Sequence, residues 1–321
     1  MKILTAVAGA LLAVVAGTAA AQTFPSKPIR MVVTFPTGGA PDILARTISE
    51  KLDPAWGHTM IVDNKPGAGG NIGAGEVARA QPDGHVLVMG TVGTHAINGS
   101  LYAKMPYDMV KDFAPVTLIA STPNLLVVNN DVPAKNLQEL IALAKAKPGQ
   151  LTFGSPGIGT SVHVSGELIN SLPADKTQHI PYTRRQFAIP YLLGGQITMM
   201  FDNMPSAIPV VREGKLRAIG VTSSKRSASA PEIPTIAEQG LPGFEATSWF
   251  AVFAPAGTPR PVVDRLHAEI VRIFNLPDVQ AKMRTLGLDP ILGGPEDLAK
   301  TQQAEIVKWA KVIKDSGAKA E

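Results

Sequence analysis

The chain has 321 residues, of which 45% are hydrophobic and 17% are charged, and this composition excludes a wholly disordered protein. Its 30 Lys and Arg residues exceed its 26 Asp and Glu residues by only four, and they form no basic block. The sequence therefore does not indicate nucleic acid as a partner. Cysteine is absent, which excludes a disulfide scaffold, a thiolate zinc site and a cysteine nucleophile. A chain of this length is expected to form about two domains.

The first 21 residues have the features of a secretory signal peptide. Lys2 supplies a positive charge, an uncharged apolar stretch follows over residues 3–15, and three alanines end at Ala21. We expect cleavage after Ala21 and export to the periplasm. A membrane anchor is the less favoured alternative, because the stretch is rich in Ala and Gly and has no stop-transfer charges.

Short apolar runs alternate with helical spacing through the first hundred residues. Each predicted strand is rich in branched apolar residues, and the first two lead through Gly-rich turns into helices. This alternation predicts parallel βαβ units in a doubly wound sheet. The predicted elements are strands at 29–35, 60–63 and 85–90 and helices at 41–52 and 72–80.

The same alternation recurs in the middle of the chain, and the last third is mostly helical. We therefore expect two similar α/β lobes, with a ligand in the cleft between them and a helical C-terminus closing one lobe. The predicted elements are strands at 125–128, 151–154, 197–201, 218–221 and 249–254, and helices at 137–145, 162–169, 261–275, 277–286 and 295–303 with a tail helix to 313.

Two Gly-rich loops are candidates for binding an anion. The first, residues 35–42, leads into a predicted helix whose unpaired N–H groups suit an anion, and Asp42 either contacts ligand or caps that helix. The second, residues 154–161, has the same design with three hydroxyl groups, and His163 follows one turn into the next helix. Facing each other, the two loops could hold two carboxylates of one ligand. Ordinary tight turns are the alternative interpretation of both.

Other motifs give weaker signals. A serine hydrolase built from Ser155, His163 and Asp202 is an alternative, but Phe153 stands where a nucleophile elbow needs glycine. The Gly-rich segment 67–75 does not follow its strand directly, which argues against a dinucleotide fingerprint. The six histidines are scattered along the sequence, so their spacing gives a zinc site no support.

Two polar pairs remain open to two interpretations each. Arg184 and Arg185 precede a hydrophobic stretch, so they either clamp a carboxylate by bidentate bonds or lie in solvent. Asp202 and Asn203 end a buried strand, where they either contact ligand or cap a helix.

The motifs and their order resemble the Bug family of periplasmic solute-binding proteins, the receptors of tripartite tricarboxylate transporters. The likeness covers essentially the whole chain after the signal segment. It is carried by Pro25–Arg30, Phe35–Gly39 with Asp42, Asn64–Ala74, Pro82–Gly84, Met105–Asp108, Lys111–Val116, Gly194–Gln196, Phe201–Asp202, Pro234–Glu238, Trp249–Phe250 and Ala254–Pro259.

The resemblance implies a two-lobe fold of type II-like periplasmic binding proteins, with a hinge crossed by two strands. Lobe 1 would comprise residues 22–123 and 250–321, and lobe 2 residues 124–249. Such a receptor captures a small carboxylate, here a di- or tricarboxylate or an aromatic acid, by lobe closure. It acts as a monomer, without covalent chemistry or cofactor, and delivers the ligand to a membrane permease; a sensor that feeds a receptor kinase is the alternative.

The resemblance also implies a set of ligand contacts that come from both lobes. They are Thr37, Gly38, Gly39 and Asp42 in the first loop, Ser155, Gly159, Thr160 and His163 in the second, and Thr94, His95 and Asp202 completing the cleft.

One segment departs from the family pattern. Where the family usually has Pro-Tyr-Lys-Gly-x-x-Pro-Ala, this chain has Thr183 for the Lys, Arg184 for the Gly and Phe187 for the Pro. The two arginines and the aromatic ring would favour a longer or aromatic dicarboxylate, block the usual ligand, or face solvent.

Overall fold

The computed structural model describes residues 24–52, 54–155, 157–170, 177–182, 185–316 and 318–320, with the backbone alone at 170, 185–188, 315 and 316. The predicted signal segment lies outside these residues. Within them, no helix is long and apolar enough to cross a lipid bilayer.

The first third of the chain forms parallel βαβ units, as the sequence predicts. Its elements are β1 (Ile29–Val33), α1 (Ala40–Lys51), β2 (Met60–Asn64), α2 (Asn71–Ala78), β3 (Val86–Thr91) and, after a π-helical turn at Gly93–Ile97, α3 (Asn98–Leu101). Strand β1 lies between β2 and β3 and is parallel to both.

A strand of 17 residues, β4 (Phe113–Asn129), then crosses the molecule. The sequence predicted only residues 125–128 of it. Pro115 and Pro123 interrupt the earlier part, and proline gives no N–H to a strand ladder, so the pattern is not typical of a central strand. The structure accommodates Pro115 beside a register shift between β4 and its neighbour.

The middle of the chain repeats the βαβ arrangement. Its elements are α4 (Leu137–Ala146), β5 (Thr152–Ser155), α5 (Ser161–Asn170), β6 (Gln178–Pro181), α6 (Arg185–Leu193), β7 (Met199–Asn203), α7 (Met204–Arg212) and β8 (Leu216–Val221). Strand β5 is parallel to β6 and β7. The sequence did not predict β6, α6 or α7; Pro190 and Pro209 lie inside the two helices and argue locally against them.

The last third returns to the first sheet. Its elements are β9 (Thr247–Pro255), α8 (Arg260–Phe274), α9 (Pro277–Leu286), β10 (Asp289–Gly293) and α10 (Pro295–Ser316). Strand β9 is antiparallel to both β3 and β4. Where the sequence predicted two C-terminal helices, α10 is one continuous helix of 22 residues.

Strand β4 belongs to two groups of strands. Up to Pro123 it pairs with β9 and β10, and from Asn124 onward it pairs with β7 and β8. We call β1, β2, β3, β9, β10 and the first part of β4 the first sheet. The second sheet comprises β5 to β8 and the last part of β4.

Both sheets are covered by helices on both faces. In β4, Leu126 and Val128 pack into one core with α4 and α5, whereas Leu125 and Val127 pack into another with α7. In β1, Met31 likewise packs with α1 and α8, and the neighbouring Val32 packs with α2 and α10 on the opposite face. Because successive strand residues point to opposite faces, this alternation shows a doubly wound arrangement in each sheet.

The side chain of Asn124 joins the elements where β4 passes from one sheet to the other. Its amide donates to Ser165 Oγ at 3.1 Å and to the Ala246 carbonyl at 3.2 Å. Its carbonyl accepts from Asn203 Nδ2 at 2.7 Å and from Ser248 Oγ at 3.2 Å. Asn124 is fully buried, so these bonds replace the water that its amide loses on folding.

We predict that Asn124→Ala lowers the free energy of unfolding by about 2–3 kcal/mol, because several buried polar partners lose their bonds at once. Urea unfolding monitored by circular dichroism measures the change. Asn130→Ala is the matched control: Asn130 is exposed and donates one bond to the Gly214 carbonyl, so its loss is expected to have an effect below about 1 kcal/mol. Equal effects of the two substitutions would contradict the role of Asn124.

Candidate functional site

The loop between β1 and α1 is held by Asp42. Asp42 Oδ2 accepts from the Gly38 backbone N–H at 2.9 Å and from Arg46 Nε at 3.0 Å, and Oδ1 accepts from Asn64 Nδ2 at 2.9 Å. The carboxylate is 2% exposed. Asp42, the third residue of the helix, thus binds back to the loop that precedes it, and its contact with a ligand stays a prediction from the sequence.

The environment of Asp42 favours its charged form. Burial by itself raises the pKa of a carboxyl group, but the hydrogen bonds from Arg46, Gly38 and Asn64 outweigh it, and the pKa is lowered below its usual 3.8. The loop is therefore fixed by an ionised carboxylate over the whole neutral range. Of the other predicted contacts in this loop, Gly39 lies at the cleft, while Thr37 and Gly38 are exposed outside its lining.

The segment after β3 presents its first residues to the cleft and buries the next ones. Thr91, Val92 and Gly93 line the cleft. The structure places the predicted contacts Thr94 and His95 behind them, both fully buried. Thr94 Oγ1 accepts from the Thr91 backbone N–H at 3.0 Å, so Thr94 supports the wall of the cleft from within.

His95 is a packing residue in a neutral state. Its ring stacks on Phe253 with centroids 3.9 Å apart, and its Nδ1 lies 2.8 Å from Thr94 Oγ1. Complete burial lowers the pKa of His95 to about 3, because the charged form would be desolvated. His95 therefore brings no positive charge to a ligand at neutral pH.

The second predicted loop also divides into a lining part and a buried part. Thr160, Ser161 and Val162 line the cleft at the beginning of α5. Ser155 and His163 lie behind them, with 0% and 4% exposure. Thr160 Oγ1 accepts from the His163 backbone N–H at 3.1 Å and so shapes the first turn of the helix.

The serine hydrolase arrangement considered from the sequence is not the one that the fold builds. Ser155 Oγ lies 2.7 Å from His179 Nε2, in strand β6, instead of pairing with His163. Ser155 is fully buried and is not among the described residues that line the cleft.

The remaining wall of the cleft comes from the two strands that meet beside Asn124. Asp202 and Asn203 end β7, and Ser248 and Phe250 belong to β9. Asp202 is 2% exposed, and its Oδ1 accepts from the Asn203 backbone N–H at 2.9 Å. The sequence predicts Asp202 as a ligand contact, but neither Ser248 nor Phe250. The local signal at Ser248 is a hydroxyl group directly before a buried apolar strand.

The assembled cleft is lined by residues from both sheets. Helices α1 and α5 both begin at it, one from each sheet. Among the described residues of its wall, Asp202 alone has an ionisable side chain; the others are apolar, hydroxyl, amide or glycine. The wall consists of Phe35, Pro36, Gly39, Pro41, Thr91, Val92, Gly93, Thr160, Ser161, Val162, Asp202, Asn203, Ser248 and Phe250.

Beside the cleft, at a second pocket that shares Phe35 and Pro36 with it, residues of the two sheets touch directly, and we call this contact the mouth. The Tyr102 hydroxyl, beside the first sheet, donates to the Ile158 carbonyl in the loop of the second sheet at 3.0 Å. Gly159 follows with φ of +90°, and a Cβ there would lie 2.3 Å from Asn98 Oδ1. Glycine is therefore required for this approach, on grounds of both conformation and space.

The sequence profile described as "Tripartite tricarboxylate transporter family receptor" matches residues 44–318. The chain belongs to this family. The Bug-family resemblance is thereby confirmed, and Protein BugT of Bordetella pertussis is 34% identical over 322 residues, 99% of each chain. A UPF0065 protein from the tcbD-tcbE intergenic region of Pseudomonas sp. strain P51 is 41% identical over 310 residues, 95% of this chain and 92% of the relative.

Solved receptors of the family share the fold. R. palustris Rpa4515 with adipate is 36% identical with a TM-score of 0.88, covering 92% of this chain and 98% of that one. MatC from Rhodopseudomonas palustris with bound malate is 35% identical with a TM-score of 0.86, covering 90% and 100%. The family and these neighbours are solute-binding proteins and not enzymes, in agreement with the prediction from the sequence.

The departure of this receptor from the family pattern falls largely outside the described residues. Thr183 and Arg184 are not among them, and at Arg185, the first residue of α6, only the backbone is described. Ligand contact by the two arginines therefore stays a prediction from the sequence.

We predict that Asp42→Asn destabilises the receptor by about 1–3 kcal/mol at pH 7, because the amide gives Arg46 no charge and fewer acceptor sites. The pKa of Asp42 is lower in the folded protein than in the unfolded chain. The stability that the ionised carboxylate gives to the fold is therefore complete above the unfolded pKa. It is lost as the pH falls through the folded pKa. Urea unfolding measures the free energy of unfolding of the wild type and of Asp42→Asn at pH 7 and pH 3. We expect the difference between the two proteins to be smaller at pH 3.

Asp264→Asn is the control for loss of a carboxylate. Asp264 forms an exposed pair with Arg260, four residues before it, so its removal is expected to change stability by at most about 1 kcal/mol. A constant difference between wild type and Asp42→Asn from pH 7 to pH 3 would exclude the ionised carboxylate as the source of the effect.

Proposed function

We propose that this receptor captures a small dicarboxylate in the cleft by closing two lobes around it, and delivers the ligand to a tripartite tricarboxylate-type permease. The proposed lobes are residues 22–123 with 250–321, and residues 124–249. The proposed export signal is cleaved after Ala21, which places the receptor in the periplasm. The observation that carries the proposal is that two helices, one from each sheet, begin at the same cleft.

Helix N-termini supply the positive potential that basic side chains would otherwise provide. The first N–H groups of α1 and α5 have no partner within their own helices, and each helix has a partial positive charge at that end. Both helices have ten or more residues. A carboxylate at each end of the ligand would therefore meet backbone donors from a different lobe.

The rest of the wall narrows the class of ligand. Phe35 and Phe250 provide apolar surface for a carbon chain between the two carboxylates, and Ser161 and Ser248 provide hydroxyl groups. The carboxylate of Asp202 disfavours a further negative charge beside it, which favours a dicarboxylate over a tricarboxylate. Adipate and malate, held by two solved relatives, are both dicarboxylates.

A ligand that bridges the lobes binds the closed form better than the open one, and so shifts the population toward closure. The bond from Tyr102 to Ile158 supports a closed form in which the two sides of the mouth touch directly. A permease that recognises this closed surface would receive loaded receptors in preference to empty ones.

Calorimetric titration of the purified receptor with adipate, malate, citrate and a neutral amide tests the proposal. We expect saturable binding of a dicarboxylate and a matching rise in melting temperature, since ligand at 100 times its Kd adds about 2.7 kcal/mol of stability. Binding of the neutral amide without any carboxylate would overturn the proposed ligand. Uptake by cells that carry the permease, with and without the receptor, tests the delivery step.

We predict that Gly159→Ala lowers affinity for the bound dicarboxylate at least about tenfold, because its methyl group would meet Asn98 and hold the mouth open. Titration calorimetry measures the affinity. Gly157→Ala is the matched control, since Gly157 also has positive φ, of +136°, in the same loop, but a Cβ there meets nothing within 4 Å. If both variants lose affinity equally, loop strain and not closure is the cause.

A further inference from the structure

The tertiary structure brings together three potential metal ligands that are scattered in the sequence. His163 and Glu167 lie one turn apart on α5, and His179 lies on β6. One ligand atom from each lies within 4.8 Å of the others. The imidazole rings of His163 and His179 have centroids 4.4 Å apart.

One member of the cluster is buried and two are partly exposed. His163 is 4% exposed, while Glu167 and His179 are partly exposed. Among the residues that the structure describes, His163 Nδ1 has no hydrogen-bond partner. Its Nε2 is 3.7 Å from Glu167 Oε1, too far for a hydrogen bond. Burying an imidazole nitrogen without a hydrogen-bond partner lowers the stability of the fold, unless a further partner binds that nitrogen.

We propose that His163, Glu167 and His179 form a binding site for one divalent transition-metal ion of the Zn²⁺ class. Two imidazole nitrogens and one carboxylate oxygen are a donor set that suits Zn²⁺, Co²⁺, Ni²⁺ and Cu²⁺. Two ligands one turn apart on a helix, with a third from a neighbouring strand, present these atoms to one point.

The ion requires only local movement of side chains. Metal–nitrogen bonds of about 2.0–2.1 Å place tetrahedral ligand atoms roughly 3.3 Å apart. The three ligand atoms are now within 4.8 Å of one another, so each must move inward by at most about 1 Å. The Ser155 hydroxyl holds His179 Nε2 at 2.7 Å. Ligation through His179 Nδ1 would keep this bond, which would then orient the ring as outer hydrogen bonds commonly do at metal sites.

The site would stabilise one wall of the ligand cleft. Helix α5 begins with the lining residues Ser161 and Val162, and a metal ion would tie this helix to β6 at its buried side. This role is structural, and it does not depend on the identity of the ligand in the cleft.

The test uses the purified, untagged receptor, treated with a chelator and then dialysed against buffer without carboxylates. Titration with Zn²⁺ is expected to show one ion bound per chain and a rise in melting temperature. Titration with Co²⁺ is expected to give the visible absorption of a tetrahedral nitrogen and oxygen site. Glu167→Gln and His179→Asn are each expected to weaken binding at least about tenfold and to abolish the rise in melting temperature.

His58→Gln is the control, since His58 lies in the first α/β unit, outside the cluster. It is expected to bind the ion like the wild type. Circular dichroism establishes that each variant is folded, and Glu167→Gln, at a partly exposed position, decides the test if a histidine variant does not fold. Absence of binding, or unchanged affinity in Glu167→Gln, would overturn the proposal.

Discussion

The receptor depends on one buried amide at the place where its long central strand changes partners. Asn124 is the residue at which β4 leaves β9 and begins to pair with β7. Its side chain bonds to α5 through Ser165, to the end of β7 through Asn203 and to β9 through Ser248. Because Asn203 and Ser248 also line the cleft, the amide that joins the two sheets also fixes part of the binding wall. The buried polar side chains around Asn124 fix which elements meet, because each of them must have a hydrogen-bond partner when it is buried.

The described wall of the candidate cleft contains no basic side chain. Its polar side chains are positioned from behind: Asp42 fixes the first loop, Thr94 supports the segment after β3, and Thr160 shapes the start of α5. Each of these supporting groups accepts a bond from a backbone N–H, and Thr160 also lines the cleft. In the proposed site, the ligand meets helix N-termini, hydroxyl groups and the aromatic surface of the wall. Under the proposed function, such a site would separate ligands by the spacing of their carboxylates more than by their net charge.

Histidine has two different uses behind this wall. His95 is stacked on Phe253 in the first sheet and fills space as a neutral ring. His163 and His179 lie together in the second sheet, beside Glu167 and Ser155. Of these three rings, only His163 and His179 lie next to a carboxylate. A histidine is therefore a packing residue in one sheet, and two histidines are candidate metal ligands in the other.

The sequence by itself determined the α/β class, the parallel units around β1 and β5, the family, and the two loops that lead to the cleft. The class, the parallel units and the loops follow from local patterns: apolar periodicity, glycine-rich turns and helix starts. The family follows from the resemblance of motifs in their order along the chain. Only the tertiary structure decided which residues of those loops face the cleft. Thr94, His95 and Ser155 have the polarity of site residues, yet packing from remote elements such as β6 and β9 buries them. The same long-range pairing brought Ser248, Phe250 and the histidine cluster into place, because strand partners far apart in sequence leave no local signal of which residues will meet.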